Sequence, residues 1–249
     1  MENNKFRILL DPAGGLYRNE HVDQWIFQKK RTSGVQPDLV TSEIAAVAFD
    51  LLRTVGADVF STRCMRYSKA EIGASEDLLF HEGAGQYLQH CRLRPDLRER
   101  PDLQQPPPHV WNDGADNLEK DARARINFCD HIKPDLMVTI DITRHEEDPG
   151  LEIVHNSAGG ADALAENILR EVAKRTHRKI LGARAMREED LPAVGCDTPV
   201  LILNCGSTHD LRTAQRLTQP WYRTSVALGL FAALWKHAAV ARREEAVLR

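Results

Sequence analysis

The sequence predicts one α/β domain spanning residues 1–249, with a mainly parallel, twisted sheet covered by helices on both faces. Three observations predict it. Short apolar runs alternate with stretches of helical period, and that order makes parallel strands joined by helical crossovers. A chain of 249 residues with 42% hydrophobic residues buries one substantial core and needs no second domain. The polar residues Asp11, Asp141 and Asn204 each end an apolar run, which is where sheets of this class gather their ligands.

The elements follow in order. Phe6 to Leu10 is a short apolar strand ending at Asp11-Pro12. From Glu43 to Val55, the apolar residues Ile44, Val47, Ala48, Leu51 and Leu52 form the stripe of an amphipathic helix, which Gly56 stops. Ala57 to Thr62 is the next strand, Ala122 to His131 a helix, Leu136 to Ile142 a buried strand and Leu151 to His155 another. Ala161 to Thr176 reads as a helix, Val200 to Leu203 as a strand, and Trp221 to Ala238 as a long closing helix. Two insertions interrupt this order, at about 16–41, with Trp25 and Phe27 in a polar context, and at about 66–114, with Pro106-Pro107-Pro108 and Trp111. Insertions of this length leaving strand or helix ends are expected to bind or cover something. The Trp111 and proline region is the expected partner surface.

Composition narrows the function. Lys plus Arg total 33 against 36 Asp plus Glu, so no basic surface for nucleic acid or anionic lipid is expected. Cys64, Cys91, Cys129, Cys196 and Cys205 are widely spaced and include no CxxC pair, which reads as reduced thiols in a cytosolic setting. Met1 to Lys5 lacks a secretory pattern, and no apolar run reaches the roughly 20 residues of a membrane helix. The expected location is cytoplasmic, or exported if a leader has been removed. Ser61 and Ser207 lack a GxSxG elbow, and the paired glycines fit no phosphate loop.

Several blocks carry a family resemblance, in order along the chain: Ile8 to Gly15, Glu43, Gly56 to Arg63, Arg125, Lys133 to Asp141, Gly150-Leu151-Glu152, Thr198 to Gly206, and Trp221 to Leu234. Together they resemble the zinc-dependent N-acetylmuramoyl-L-alanine amidases, the type 3 cell-wall amidases. The resemblance implies an amidase-type α/β fold, peptidoglycan as substrate, and a zinc ion held by His, Glu and His with a second Glu as base. Carried across position by position, the first His falls at Ala13 or in a one-residue deletion beside it, and Glu43 is kept. The second His becomes Asp141 and the base becomes Asn204. Asp11, Ala13, Gly14, Arg63, His145 and His209 are the remaining expected pocket residues.

These substitutions alter the chemistry that the resemblance implies. Glu43 and Asp141 offer oxygen ligands, which suit magnesium, calcium or manganese better than zinc. Asn204 cannot accept a proton from metal-bound water. The expectation is a degenerate amidase-like pseudoenzyme without cofactor, which binds a protein or peptidoglycan partner through its insertions as a component of a larger assembly. The alternative is a metal-dependent amide hydrolase with a rearranged site, zinc or a harder ion being held by Glu43 and Asp141 with help from Asp11, His145, His209 or His21. Asp11 reads otherwise as the local cap of its own DP turn. Cys205 reads as a small buried thiol, or as a nucleophile if His209 supplies a base.

Overall fold

The computed structural model describes residues 6–14, 16–19, 24–27, 32–62, 117–143, 150–156, 161–187 and 197–247. The strands are β1 (Arg7–Pro12), β2 (Leu16–Asn19), β3 (Gln24–Phe27), β4 (Asp58–Ser61), β5 (Leu136–Thr143), β6 (Leu151–His155), β7 (Ile180–Ala185) and β8 (Val200–Ser207). The helices are α1 (Pro37–Thr54), α2 (Asn117–Ile132), α3 (Ala161–Thr176), α4 (Leu211–Leu217) and α5 (Pro220–Val247). The main sheet has the order β4-β1-β5-β8-β6-β7, and β2 and β3 form a separate antiparallel pair. In the main sheet every neighbouring pair is parallel except β8 with β6. The expected α/β class and mainly parallel sheet are therefore observed.

Strand alternation divides the sheet's two faces. Ile8, Leu10, Val138, Ile140, Leu201 and Leu203 point to one face, where they form a single core with the buried stripes of α1, α3 and α5. Fully burying each such side chain is worth about 1.5–3 kcal/mol, so this face dominates the stability. Helix α5 lies against both α1 and α3. Its close approach to α3 depends on Gly229, where a Cβ would stand 2.6 Å from Val172 Cα. The Tyr222 hydroxyl donates to the Cys205 carbonyl (2.9 Å), fixing the start of α5 to β8. On the opposite face, Leu9, Asp11, Met137 and Thr139 alternate with the core residues. Helix α2 is held to β1 there, through Arg125 to Asp11 and Arg7 Nη1 to the Ile132 carbonyl (2.7 Å).

Several boundaries differ from the sequence reading. Helix α1 opens at Pro37, not Glu43, because a proline in the first turn needs no amide partner and supplies a helical φ, and Asp38 follows it at the positive end of the helix. The first insertion is therefore shorter than 16–41 and contains the β2–β3 hairpin. Strand β8 continues past Leu203 to Ser207, so Asn204 lies inside the strand. The reading also passed over β7 and α4. Strand β7 is half-exposed and lacks alternation, and α4 has only seven residues behind an Asp210 cap that accepts from the Thr213 amide (2.7 Å).

Candidate functional site

The site is built from the sheet register. Pairing of Pro12 with Ile140 sets Ala13 beside Asp141, and the Ala13 amide donates to the Ile140 carbonyl (2.9 Å). Asp141 is in register with Asn204, and Asn204 with Glu152. Ala13, Asp141, Asn204 and Glu152 thus form one row across four adjacent strands, on the face opposite the three-helix core. The three positions where the resemblance expects His, His and Glu stand next to one another, and they carry a methyl, a carboxylate and an amide.

The row is polar and only partly neutralised. Asn204 is 7% exposed, and its Oδ1 has no hydrogen-bond partner among the described residues. A buried acceptor left this way costs about 1–3 kcal/mol relative to a bonded one, a cost usually accepted where a ligand or water completes it. Asp141 is half-buried, and its Oδ1 accepts from the Ile142 amide (2.7 Å). Arg184 Nε, from the edge strand β7, reaches Glu152 Oε1 (3.1 Å). Neither Glu152 nor Arg184 was singled out as a site residue. Glu152 has a sequence signal in its resemblance block, and Arg184 has none.

Asp11 lies on the same face two residues before Ala13, fully buried. It does not cap its own turn. Its carboxylate accepts from Thr62 Oγ1 (2.6 Å), Thr139 Oγ1 (2.8 Å) and Arg125 Nη1 (2.6 Å), which come from three other segments of the chain. Thr139 was readable as a neighbour, since it precedes Asp141 by two residues on the same strand face. The Arg125 contact spans 114 positions in sequence and gives no local signal.

Glu43 comes from helix α1. It lies in the second turn of α1, is 54% exposed at its side chain, and its Oε2 lies 2.5 Å from Nε of Arg223 in the first turn of α5, an ion pair without hydrogen-bond alignment. Arg223 also donates through Nη1 to the Leu217 carbonyl (2.8 Å), which fixes the guanidinium there. The carboxylate nearest the opening of α1 is Asp38, fully buried and bonded by Gln36 Nε2 (2.8 Å), a residue the sequence reading did not single out. Thr41 Oγ1 donates to the Ala13 carbonyl (3.0 Å) and ties this end of the helix to the row.

Of the other expected pocket residues, Gly14 is buried with φ 82°, a left-handed conformation that suits glycine. His209 is exposed, its amide donating to Ser207 Oγ (3.2 Å). Cys205 is a buried free thiol on the core side of β8. Arg63, His145 and His21 lie outside the described residues, as do Trp111, the proline run and the whole 66–114 insertion. Among the described residues, no group of three His, Cys, Asp or Glu side chains is placed to hold a metal ion. No helix among them is long and apolar enough to cross a membrane.

No protein-family profile matches the chain, and no curated protein sequence matches it. Solved structures do. The chain is similar to the N-acetylmuramoyl-L-alanine amidase AmiC2 of Nostoc punctiforme, with 15% identity, a TM-score of 0.57, and coverage of 93% of this chain and 96% of that one. It is similar to the catalytic domain of CwlV, the same kind of amidase from Bacillus (Paenibacillus) polymyxa var. colistinus, with 13% identity, a TM-score of 0.59, and 94% and 98% coverage. It is also similar to the CwlD amidase of Clostridioides difficile, solved in complex with the GerS lipoprotein, with 14% identity, a TM-score of 0.55, and 95% and 100% coverage. Identities this low over nearly complete chains establish the architecture, and the ordered sequence blocks agree with it: the chain has the α/β fold of the N-acetylmuramoyl-L-alanine amidases.

Proposed function

We propose that this chain is a non-catalytic binding component built on the amidase fold, and that it does not hydrolyse the muramoyl–alanine amide. The observation that carries this reading is the row Ala13, Asp141, Asn204. Catalytic zinc takes three protein ligands, commonly two imidazoles and a carboxylate, plus a water. The row brings no imidazole. Asp11 already accepts from three donors and Glu43 is engaged with Arg223. This donor set does not fit zinc, so we derive no step through a metal. The amide of Asn204 cannot serve as a general base, and that role normally contributes about 10²- to 10⁴-fold.

Binding is the use left to such a cleft. The unpartnered Asn204 oxygen offers an acceptor for a ligand N–H. The two insertions follow β1 and β4, whose carboxyl ends open at the rim carrying the row. We assign them the partner contacts, with protein or peptidoglycan as the class of partner. The CwlD structure with a lipoprotein supports a protein partner, since it shows a similar scaffold engaged by one.

Two measurements on the purified chain test this together: elemental analysis after dialysis at neutral pH, and amide cleavage of isolated peptidoglycan with added zinc. The expected results are less than stoichiometric transition metal and no cleavage above buffer. A stoichiometric zinc that disappears together with amidase activity in Glu43→Ala would overturn the reading.

A further inference from the structure

The strand-end row sets an unmet acceptor between two acids. Asn204 is 7% exposed, and its Oδ1 has no hydrogen-bond partner among the described residues. Its in-register neighbours on the same face are Asp141 of β5 and Glu152 of β6. Both are partly exposed, so solvent reaches the row on either side of the buried amide. Ile202, two residues earlier on this face of β8, is also partly exposed and pairs with the buried Val154, which gives an apolar surface next to the amide.

The charges around Oδ1 select the sign of the group that completes it. Arg184 bonds Glu152 (3.1 Å), and Arg125 bonds Asp11 (2.6 Å), two residues before Ala13 on the same face, so each of those acids has a cation of its own. Among the described residues, Asp141, Glu152 and Arg184 together leave one formal negative charge at the row. An anion would face that charge and the bare Oδ1 at once. A divalent ion would lie next to the Arg184 guanidinium, and hard ions of that kind gather about six or more oxygens. A neutral amide would satisfy Oδ1 but gain nothing from the charge beside it.

We propose that the row recognises a primary ammonium group carried on an alkyl chain, a ligand class that rests on the non-catalytic reading given above. Neighbouring strands stand about 4.8 Å apart, so one nitrogen set between Asp141 and Asn204 reaches oxygens on both strands at ordinary hydrogen-bond distance. An ammonium has three donors in a compact head and no acceptor, which matches the oxygens of Asn204 and Asp141. Its bond to the carboxylate is charge-assisted, and its alkyl chain is accommodated on Ile202. A lysine side chain and the free amino end of a peptide are the two sources of such a group.

The test is an NMR titration at physiological salt that follows the backbone amide signals of β5 and β8. Nα-acetyl-lysine N-methylamide is expected to shift them saturably, and the norleucine analogue, which lacks the ammonium, should leave them unmoved. Trimethylation of the lysine probe keeps the charge and removes the N–H donors, and should weaken binding by roughly tenfold or more. Asn204→Leu and Asp141→Asn should each weaken the lysine probe by a similar factor; if Asn204→Leu does not fold, Asp141→Asn and the trimethylated probe decide. Alanine N-methylamide separates the sources: tighter binding of the lysine probe supports the site and assigns it a side chain, and tighter binding of the alanine probe supports it and assigns a free terminus. Absence of binding by both ammonium probes, equal binding of the norleucine or trimethylated form, or unchanged affinity in the variants would each overturn the proposal. So would saturable binding of magnesium that excludes the lysine probe. Zinc content and peptidoglycan cleavage read on the same sample separate the two failures. A chain without metal or cleavage that ignores the ammonium probes loses this site and keeps its non-catalytic character, whereas a zinc-bound, cleaving chain loses both.

Discussion

At the scale of single residues, Asp11 decides most. It is a fully buried carboxylate compensated by one guanidinium and two hydroxyls, so replacing it strands charge and donors where water does not reach. Asp11→Asn is expected to cost about 3 kcal/mol, measured by urea denaturation, because it leaves the Arg125 guanidinium without its carboxylate. Adding Arg125→Met should recover part of that loss. Glu171 makes the matching prediction in pH. The Lys236 ammonium bonded to it (2.5 Å), and then Arg175, hold its carboxyl down at about 2 from an ordinary 4.5. A depressed acid contributes stability that is complete above its unfolded value and drains away as pH falls from about 4.5 toward 2. Glu171→Gln should therefore cost about 1 kcal/mol at neutral pH, since Lys236 is solvent-exposed, and almost nothing near pH 2. Equal costs at both ends of a denaturation series in pH would refute the assignment.

At the scale of elements, the crossing of α3 and α5 sets the thickness of the core layer. Gly229→Ala should destabilise by about 1–3 kcal/mol in thermal or chemical unfolding even though alanine is the better helix former, because the added methyl meets Val172 backbone atoms that cannot step aside. Tyr222→Phe should cost about 1 kcal/mol through the lost bond to Cys205. Elements whose burial is periodic were legible in the chain: α3, β6 and the core of β5 were read within a residue of their bounds. Elements with short or weakly periodic signals were not. Strand β7 sits at an edge with weak patterning, α4 depends on one cap, and the start of α1 is set by Pro37 while the notable glutamate lies a turn and a half later. The candidate site divides the same way. Asp141 and Asn204 were readable because each ends an apolar run, and Ala13 through the family resemblance alone, whereas the pairing of Glu43 with Arg223 joins helices far apart in sequence and has no local trace.

At the scale of the whole molecule, the proposed function predicts indifference to zinc. A ligand at a hundredfold excess over its dissociation constant adds about 2.7 kcal/mol of stability, which for a chain of this size raises the melting temperature by roughly 5–10 °C. The expected shift on adding 100 µM zinc is below about 1 °C by calorimetry; a rise of several degrees would count against a binding component without metal. The single antiparallel join between β8 and β6 has a different consequence. Strands β1, β4, β5 and β8 all finish at one rim, while β6 and β7 finish at the other. Chain added directly after a strand of the first group would leave from the rim that carries the row, and chain added directly after β6 or β7 from the opposite rim. Evolution, or an engineer grafting a reporter, can lengthen either group without crowding the opposite end.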